Sequence, residues 1–225
     1  MDEVTVYGQN PMPRSYEGTS CQVLSEITSA QINMVIWHRS VPKAFAEFQA
    51  SRKLGPELRC NFLIHSLTPM NFIEDQLHAA RVGLREAPHS LDSSMIKWLA
   101  MDLQKLIGVF ASLCSSRKFR VRIDQDLRRS CSLFHVDYVP LRMLCVYAGP
   151  GTEWLDEESA DREALGTDNE QILRPDAPVR ALREGDVAIL KGEKYPGNGG
   201  RGLIHRSPDF RVSQARILIA IDPIA

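Results

Sequence analysis

The chain has 225 residues, 44% of them hydrophobic, an ordinary composition for a globular protein of one large domain or two small ones. Its 27 basic and 28 acidic residues leave a net charge of −1, which argues against a general nucleic-acid binder and against a basic membrane-docking surface. The cysteines are odd in number and form no Cys-x-x-Cys pair, so neither a zinc ribbon nor a secreted disulfide framework is expected. The acidic N-terminus lacks the apolar segment of a signal peptide, and no apolar stretch approaches the roughly 20 residues of a membrane span. A cytoplasmic location is therefore expected.

The N-terminal half is predicted to contain helices after a leader with little regular structure. Glycines and prolines interrupt residues 1–30, which is typical of such a leader. The apolar run Ile32–Trp37 predicts a buried strand. Apolar residues at helical spacing predict three helices: Ala44 to Ser51, Pro69 to Arg81, and one that begins at a cap near Asp92 and ends at about Cys114.

Short predicted strands joined by glycine and proline turns dominate the C-terminal half. The segment Phe119–Asp124 alternates apolar and polar residues, as a half-buried strand does. Further strands are predicted at Leu141–Tyr147, Val179–Leu182, Val187–Lys191, Gly202–His205 and Arg216–Ile221. The acidic segment between Asp156 and Asp176 is expected to be a solvated, partly helical insertion. Many short strands of this kind predict a jelly roll or a barrel.

Three residues of this half have the composition of a metal site: His135, Asp137 and His205. His135 and Asp137 are two positions apart on one predicted strand, so alternation puts both side chains on the same face. His205 follows a glycine-rich loop, from which a jelly roll can bring it to the same ion. Two imidazoles and one carboxylate form the triad of non-haem iron oxygenases, which leaves coordination positions open for substrate and oxygen.

Arg216 adds a possible binding group for an anion. It lies eleven positions after His205 and opens the apolar strand Arg-Ile-Leu-Ile-Ala-Ile, where alternation puts Arg216, Leu218 and Ala220 on one face. An arginine in such a strand costs free energy unless it is paired. A dicarboxylate cosubstrate would be a suitable bidentate partner.

The C-terminal half resembles the prolyl-hydroxylase branch of the iron- and 2-oxoglutarate-dependent oxygenases. The matching residues follow the order of that branch: His135-Val136-Asp137, Arg142, Cys145-Val146-Tyr147, Gly185-Asp186 before the apolar strand Val187–Leu190, His205 and Arg216. The resemblance implies that the two histidines and Asp137 bind Fe(II) and are the catalytic set. It further implies that Arg216 binds the distal carboxylate of 2-oxoglutarate, and that Arg142 and Tyr147 line the cofactor pocket. The Gly-Gly-x-Thr stretch of the branch is replaced here by Gly149–Trp154, which leaves the substrate class open.

The chain also resembles a narrower group, the bacterial family called domain of unknown function 1826. The similar stretches are Val35–Arg39, Cys131–Asp137, Gly149–Leu155 and His205–Pro208, so the resemblance extends from residue 32 to near the end of the chain. It implies no known activity and leaves a zinc-related role open.

The expected fold is α+β. Helices of an N-terminal portion, residues 1–117, are expected to buttress a double-stranded β-helix of residues 118–225 within one integrated domain. The leading functional hypothesis is an Fe(II)- and 2-oxoglutarate-dependent oxygenase that hydroxylates an unidentified substrate, either a small molecule or a protein side chain.

Two alternatives to the oxygenase stay open. One is a non-enzymatic zinc-binding jelly-roll protein of metal homeostasis, since Cys131, four positions before His135, would favour zinc over iron as a fourth ligand. Cys131 can equally be a small apolar residue without a ligand role. The other is a jelly-roll interaction module without a metal. Neither nucleic acid nor membrane is expected as a partner, and the sequence does not indicate the oligomeric state.

Overall fold

The computed structural model describes residues 14–45, 47, 59–82, 92–124, 131–208 and 216–224. The strands in these ranges are β1 (Arg14–Gly18), β2 (Ile32–Trp37), β3 (Arg59–His65), β4 (Lys118–Asp124), β5 (Leu141–Ala148), β6 (Glu153–Trp154), β7 (Arg180–Ala181), β8 (Val187–Lys191), β9 (His205–Arg206) and β10 (Ile217–Ile224). The α-helices are α1 (Met70–Val82), α2 (Ser93–Leu113) and α3 (Asn169–Ile172), and 3₁₀ helices occupy Cys21–Thr28, Glu157–Ser159 and Arg162–Ala164. Within these ranges, no helix combines the length and the apolar character needed to cross a bilayer.

Seven strands form one large sheet in the order β1-β2-β8-β5-β10-β4-β3. Strands β1 and β2 are parallel, and all other neighbours in this sheet are antiparallel. The predicted strands at 32–37, 119–124, 141–147, 187–191 and 216–221 are confirmed to within a few residues. The protein is therefore a mixed α+β protein with a large sheet, to which both the N-terminal and C-terminal parts of the chain contribute strands.

Alternation along β5 and β8 separates the two faces of this sheet. Met143 and Val187 point to the face that packs against α1 and α2, in the largest apolar core. Leu144, Ala188 and Leu190 point to the opposite face and belong to a second core. The helices therefore cover one face only, and the other face is available for a site.

A three-stranded sheet, in the order β7-β6-β9, packs over that second face. Trp154 of β6 and the neighbouring Leu182 and Leu203 are buried against the large sheet. An isolated antiparallel bridge between His135 and His205 adds the chain segment before β5 to this small sheet. The strands predicted at 179–182 and 202–205 are reduced to two-residue pairings at 180–181 and 205–206.

Helix α2 shows how local sequence produces one of these elements. The side chain of Asp92 accepts a hydrogen bond from the Met95 backbone N–H at 2.8 Å, which satisfies one of the unpaired donors at the helix start. Leu99, Leu103 and Leu106 recur at helical spacing and are fully buried. The predicted helix from Asp92 to about Cys114 is confirmed.

Two sequence expectations need correction, and one lies largely outside the described residues. The described part of the leader is regular, because Leu24 and Ile27 of the Cys21–Thr28 helix are completely buried and β1 pairs with β2. The segment between Asp156 and Asp176 is not simply solvated, since Ala160 and Ile172 are buried in a small core with Phe134. The helix predicted from Ala44 to Ser51 falls mostly outside the described residues.

Candidate metal centre

His135, Asp137 and His205 come together on the face of the large sheet that the helices leave uncovered. One ligand atom from each side chain lies within 4.8 Å of the others. The His205 Nε2 atom is 3.2 Å from Asp137 Oδ2, and His135 Nε2 is 3.9 Å from Asp137 Oδ1. Reciprocal backbone hydrogen bonds between the two histidines, at 3.0 and 2.9 Å, hold their segments side by side. The grouping therefore rests on backbone pairing between residues 70 positions apart in the chain.

Both imidazoles are oriented by a carbonyl two residues earlier. His135 Nδ1 lies 2.8 Å from the Leu133 oxygen and His205 Nδ1 lies 3.0 Å from the Leu203 oxygen. Because a carbonyl can only accept, each Nδ1 carries the proton and donates it. Each Nε2 then faces the shared centre, where it can offer a lone pair to a cation, as outer hydrogen bonds arrange around metal-bound histidines.

The electrostatics of the group suit a divalent cation. Burial, together with the charge of His205, lowers the pKa of His135, so its imidazole is neutral at pH 7. Burial alone would raise the pKa of Asp137, but a hydrogen bond from His205 and the charges of His205 and Arg142 outweigh it and hold that pKa well below its ordinary value. A metal needs its histidine ligands neutral and its carboxylate ionised.

Arg142 positions the carboxylate of Asp137. Its Nη1 donates to Asp137 Oδ2 at 2.6 Å, while its Nε and Nη2 donate to the two oxygens of Asp222 at 2.7 and 3.1 Å. Arg122 Nη2 also donates to Asp222, at 2.9 Å. Sequence reasoning did not single out Asp222. The available signal was a lone carboxylate near the end of an otherwise apolar strand.

A cavity of about 250 Å³ opens beside the triad. The two histidines line it, and so do Arg142, Arg216, Leu218 and Ala220. Arg216, Leu218 and Ala220 share this wall, as alternation along β10 predicts. Arg216 is only 2% exposed, and its guanidinium donates to the hydroxyl of Thr152 at 3.0 Å and to that of Ser207 at 3.5 Å.

Tyr147 does not line this cavity, which corrects the expectation from sequence. It is fully buried on the helix-covered face, with its hydroxyl donating to Asp102 at 2.7 Å and its ring 5.5 Å from that of Phe45. The physical reason is alternation: Arg142 and Tyr147 are five positions apart on β5, and an odd spacing puts the two side chains on opposite faces.

Cys131 lies at the cavity but outside the three-residue ligand cluster. It is exposed, lines the cavity with His135, and its Sγ is 3.5 Å from the Leu133 carbonyl oxygen. Its position is compatible with a thiol near the site.

The model of the family described as "Protein of unknown function (DUF1826)" matches residues 18–222, nearly the whole chain. The chain belongs to this family. No curated protein is significantly similar to it. The description of DUF1826 names no activity, so membership of the family does not indicate what reaction, if any, this protein catalyses.

Several solved structures are distantly similar to this DUF1826 protein. A full-length Neurospora crassa protein in complex with alpha-KG is 12% identical, with 90% of this chain and 76% of that chain covered and a TM-score of 0.40. The Fe(II)/(alpha)ketoglutarate-dependent dioxygenase TqaL is 12% identical, with 81% and 74% covered and a TM-score of 0.43. AviO1 from Streptomyces viridochromogenes is 13% identical, with 90% and 94% covered and a TM-score of 0.41. Likeness at this level carries no argument about activity.

Proposed function

We propose that this protein is an Fe(II)- and 2-oxoglutarate-dependent oxygenase. The observation that carries the proposal is that a His135–Asp137–His205 cluster and the buried Arg216 line or adjoin one small cavity. The cluster supplies the two imidazoles and one carboxylate of a facial triad, and Arg216 supplies a cation for a carboxylate. A structural metal site would instead surround its ion with four protein ligands.

The strand pairing supports a double-stranded β-helix as the scaffold. The large sheet contains four strands from residue 118 onward, and they lie side by side in the order β8-β5-β10-β4. The His135 segment, β9, β6 and β7 follow one another across the small sheet. Apart from the consecutive pair β6 and β7, which share the small sheet, successive elements from residue 118 onward thus alternate between two facing sheets, as in a jelly roll. The N-terminal helices, from residues 1–117, buttress its outer face, and both portions form one integrated domain.

The residues of the cluster fit iron by their donor chemistry. His135 and His205 would bind through Nε2, because both Nδ1 atoms are committed to backbone carbonyls. Asp137 would bind through its carboxylate, which Arg142 keeps in place and ionised. The contact between His205 Nε2 and Asp137 marks a proton position that a cation would take over on binding. When bound, iron with 2-oxoglutarate supplies the oxidising power for attack on a substrate C–H bond.

Arg216 is proposed to bind the distal carboxylate of 2-oxoglutarate. Its guanidinium is oriented by the Thr152 and Ser207 hydroxyls, which limits the entropy lost when a carboxylate binds. Leu218 and Ala220 continue the same wall from Arg216 into the cavity, and they exclude water from the space between the arginine and the triad. The protein's contribution is thus to orient the cosubstrate and keep the site dry. The substrate is a small molecule or a protein side chain of unidentified structure.

A non-enzymatic zinc-binding function is the second candidate. The exposed thiol of Cys131 at the same cavity favours it, because a thiolate added to two imidazoles and a carboxylate suits zinc better than iron. In that case the ion would have four protein ligands and no position for a cosubstrate. Metal identity and the effect of 2-oxoglutarate distinguish the two functions.

The test is metal analysis of anaerobically purified protein followed by titration with 2-oxoglutarate. The oxygenase predicts one bound iron and a visible absorption band that grows with 2-oxoglutarate. Arg216→Lys keeps the charge but loses the bidentate fork, so it should weaken 2-oxoglutarate binding about tenfold or more and retain the metal. His135→Ala should lose the metal. Tight zinc in the wild-type protein, with indifference to 2-oxoglutarate and loss of affinity in Cys131→Ser, would overturn the oxygenase in favour of the zinc-binding protein.

A further inference from the structure

A second and much larger cavity, of about 1060 Å³, lies at the end of the large sheet where β5 begins and where β8 and β10 end. It is bounded by the C-terminal end of α2, the chain that follows β8, and the ends of β5 and β10. It shares no lining residue with the cavity beside the triad. Along β8, Ala188 and Leu190 point to the metal side, so alternation directs Lys191 to the other face, where it is paired in register with Leu141.

Lys191 is the unusual group of this cavity. Its side chain is 1% exposed, its ammonium donates to the Ser29 carbonyl at 2.7 Å, and it lies 4.3 Å from the centre of the Tyr195 ring. Within the described ranges it has no carboxylate partner at ion-pair distance. Burial, and then the charge of Arg201, lower its pKa to about 8. A buried ammonium with neutral partners alone is costly, and an anion would relieve that cost.

The rest of the lining strengthens the preference for an anion. Lys194, Arg201 and Arg120 add positive charge at the same cavity. Asp222 is the carboxylate among its described lining residues, and Arg142 and Arg122 already engage it from the metal side. Hydrophobic side chains make up much of the remaining wall, among them Leu113, Val139, Leu141, Pro223 and Ile224.

We propose that this cavity binds a small organic anion. Its carboxylate or phosphate pairs with Lys191, and its apolar part packs against the apolar side of the cavity, which includes Leu141 and Ile224. Lys191 and the apolar wall together define the ligand class. An inorganic anion could satisfy Lys191 alone, and a neutral hydrophobic molecule could satisfy the wall alone. This anion site does not depend on the reaction proposed at the metal centre, and Asp222, which lines the cavity and binds Arg142, connects the two.

The test titrates the full-length protein by calorimetry with three probes of equal chain length: hexanoate, hexyl phosphate and neutral hexanol. The proposal expects at least one anion to bind, and hexanol to bind at least about tenfold more weakly. Comparison of hexanoate with hexyl phosphate shows which anionic group the site prefers. Lys191→Met, which keeps an unbranched side chain one atom shorter and removes the charge, should weaken anion binding about tenfold or more. Lys97→Met, on an exposed position of α2, is the matched control and should bind as the wild type does.

Methyl NMR of the wild-type protein locates the bound probe without any substitution. Hexanoate should shift the methyl resonances of Leu141 and Ile224, at this cavity, and leave those of Leu144 and Leu218, at the metal cavity, unchanged. Arg216→Lys should retain hexanoate binding while it binds 2-oxoglutarate more weakly, which separates the two sites. The proposal is overturned if neither anion binds, if hexanol binds equally well, if Lys191→Met retains full affinity, or if the shifts occur only at Leu144 and Leu218.

Discussion

Gly192→Ala should displace the backbone that carries Asp137. Gly192 packs directly on that segment: a Cβ atom there would lie 2.2 Å from the Val139 oxygen and 2.5 Å from the Asp137 oxygen, where ordinary contacts begin at 3.4 Å. Both obstacles are backbone atoms, so the clash is relieved only if the segment of Gly192 and the segment of Asp137 separate by roughly 1 Å. We expect this overpacking to cost about 1–3 kcal/mol. Separation also stretches the 2.9 Å hydrogen bond from the Glu193 N–H to the Asp137 oxygen, which contributes about 1 kcal/mol.

We therefore expect Gly192→Ala to lower the free energy of unfolding by about 2–4 kcal/mol and metal affinity by about tenfold or more, because the Asp137 carboxylate moves with its backbone. Urea unfolding of the metal-free protein measures the first effect, and competition with a chelator measures the second. Gly199→Ala is the matched control, since a Cβ there meets nothing within 4 Å. Equal stability and equal metal affinity in the two variants would refute the close-approach argument.

Three further predictions concern groups outside the ligand set. Asp222→Asn should cost about 2–4 kcal/mol in urea unfolding and weaken metal binding, because it leaves Arg142 with one carboxylate partner; wild-type values for both would show that Asp222 does not position the triad. In the folded protein Lys191 has a pKa of about 8, below the value of about 10.4 in an unfolded chain, so the unfolded state binds more protons between these values and stability rises with pH across that window. Lys191→Met should remove this rise of about 1–3 kcal/mol. Urea unfolding at several pH values tests it, and a variant whose free energy of unfolding rises with pH as much as that of the wild type would contradict it. Asp92→Ala should lower the stability measured by thermal unfolding by about 1 kcal/mol, because α2 loses the hydrogen bond from the Met95 N–H to its capping side chain. Asp92→Asn should cost little, and equal losses of stability in the two variants would point to a cause other than capping.

Local pattern was sufficient for much of the fold and for the three residues that the structure groups at the candidate metal centre. The spacing of Leu99, Leu103 and Leu106 predicts α2, and alternation in β4 and β10 predicts strands that the structure contains. The same alternation predicts that Arg216, Leu218 and Ala220 share a wall. It also contradicts the pocket role that family resemblance implies for Tyr147, five positions from Arg142.

Other features depend on contacts between residues far apart in the chain. The described leader forms an edge strand only because β2 lies beside it, and its own sequence lacks a clear period. Likewise, Asp222 becomes a support for Asp137 only when β10 pairs with β5 and brings Arg142 between the two carboxylates.

The amino-acid sequence alone thus determined which side chains share a face and which three residues have metal-binding chemistry, because periodicity and residue type are properties of neighbouring positions. Tertiary structure determined that His135 and His205 are bridged side by side, that Gly192 lies under Asp137, and that Lys191 is buried at a second cavity. The physical reason is that strand pairing and burial arise from long-range contacts, whose partners no local pattern specifies.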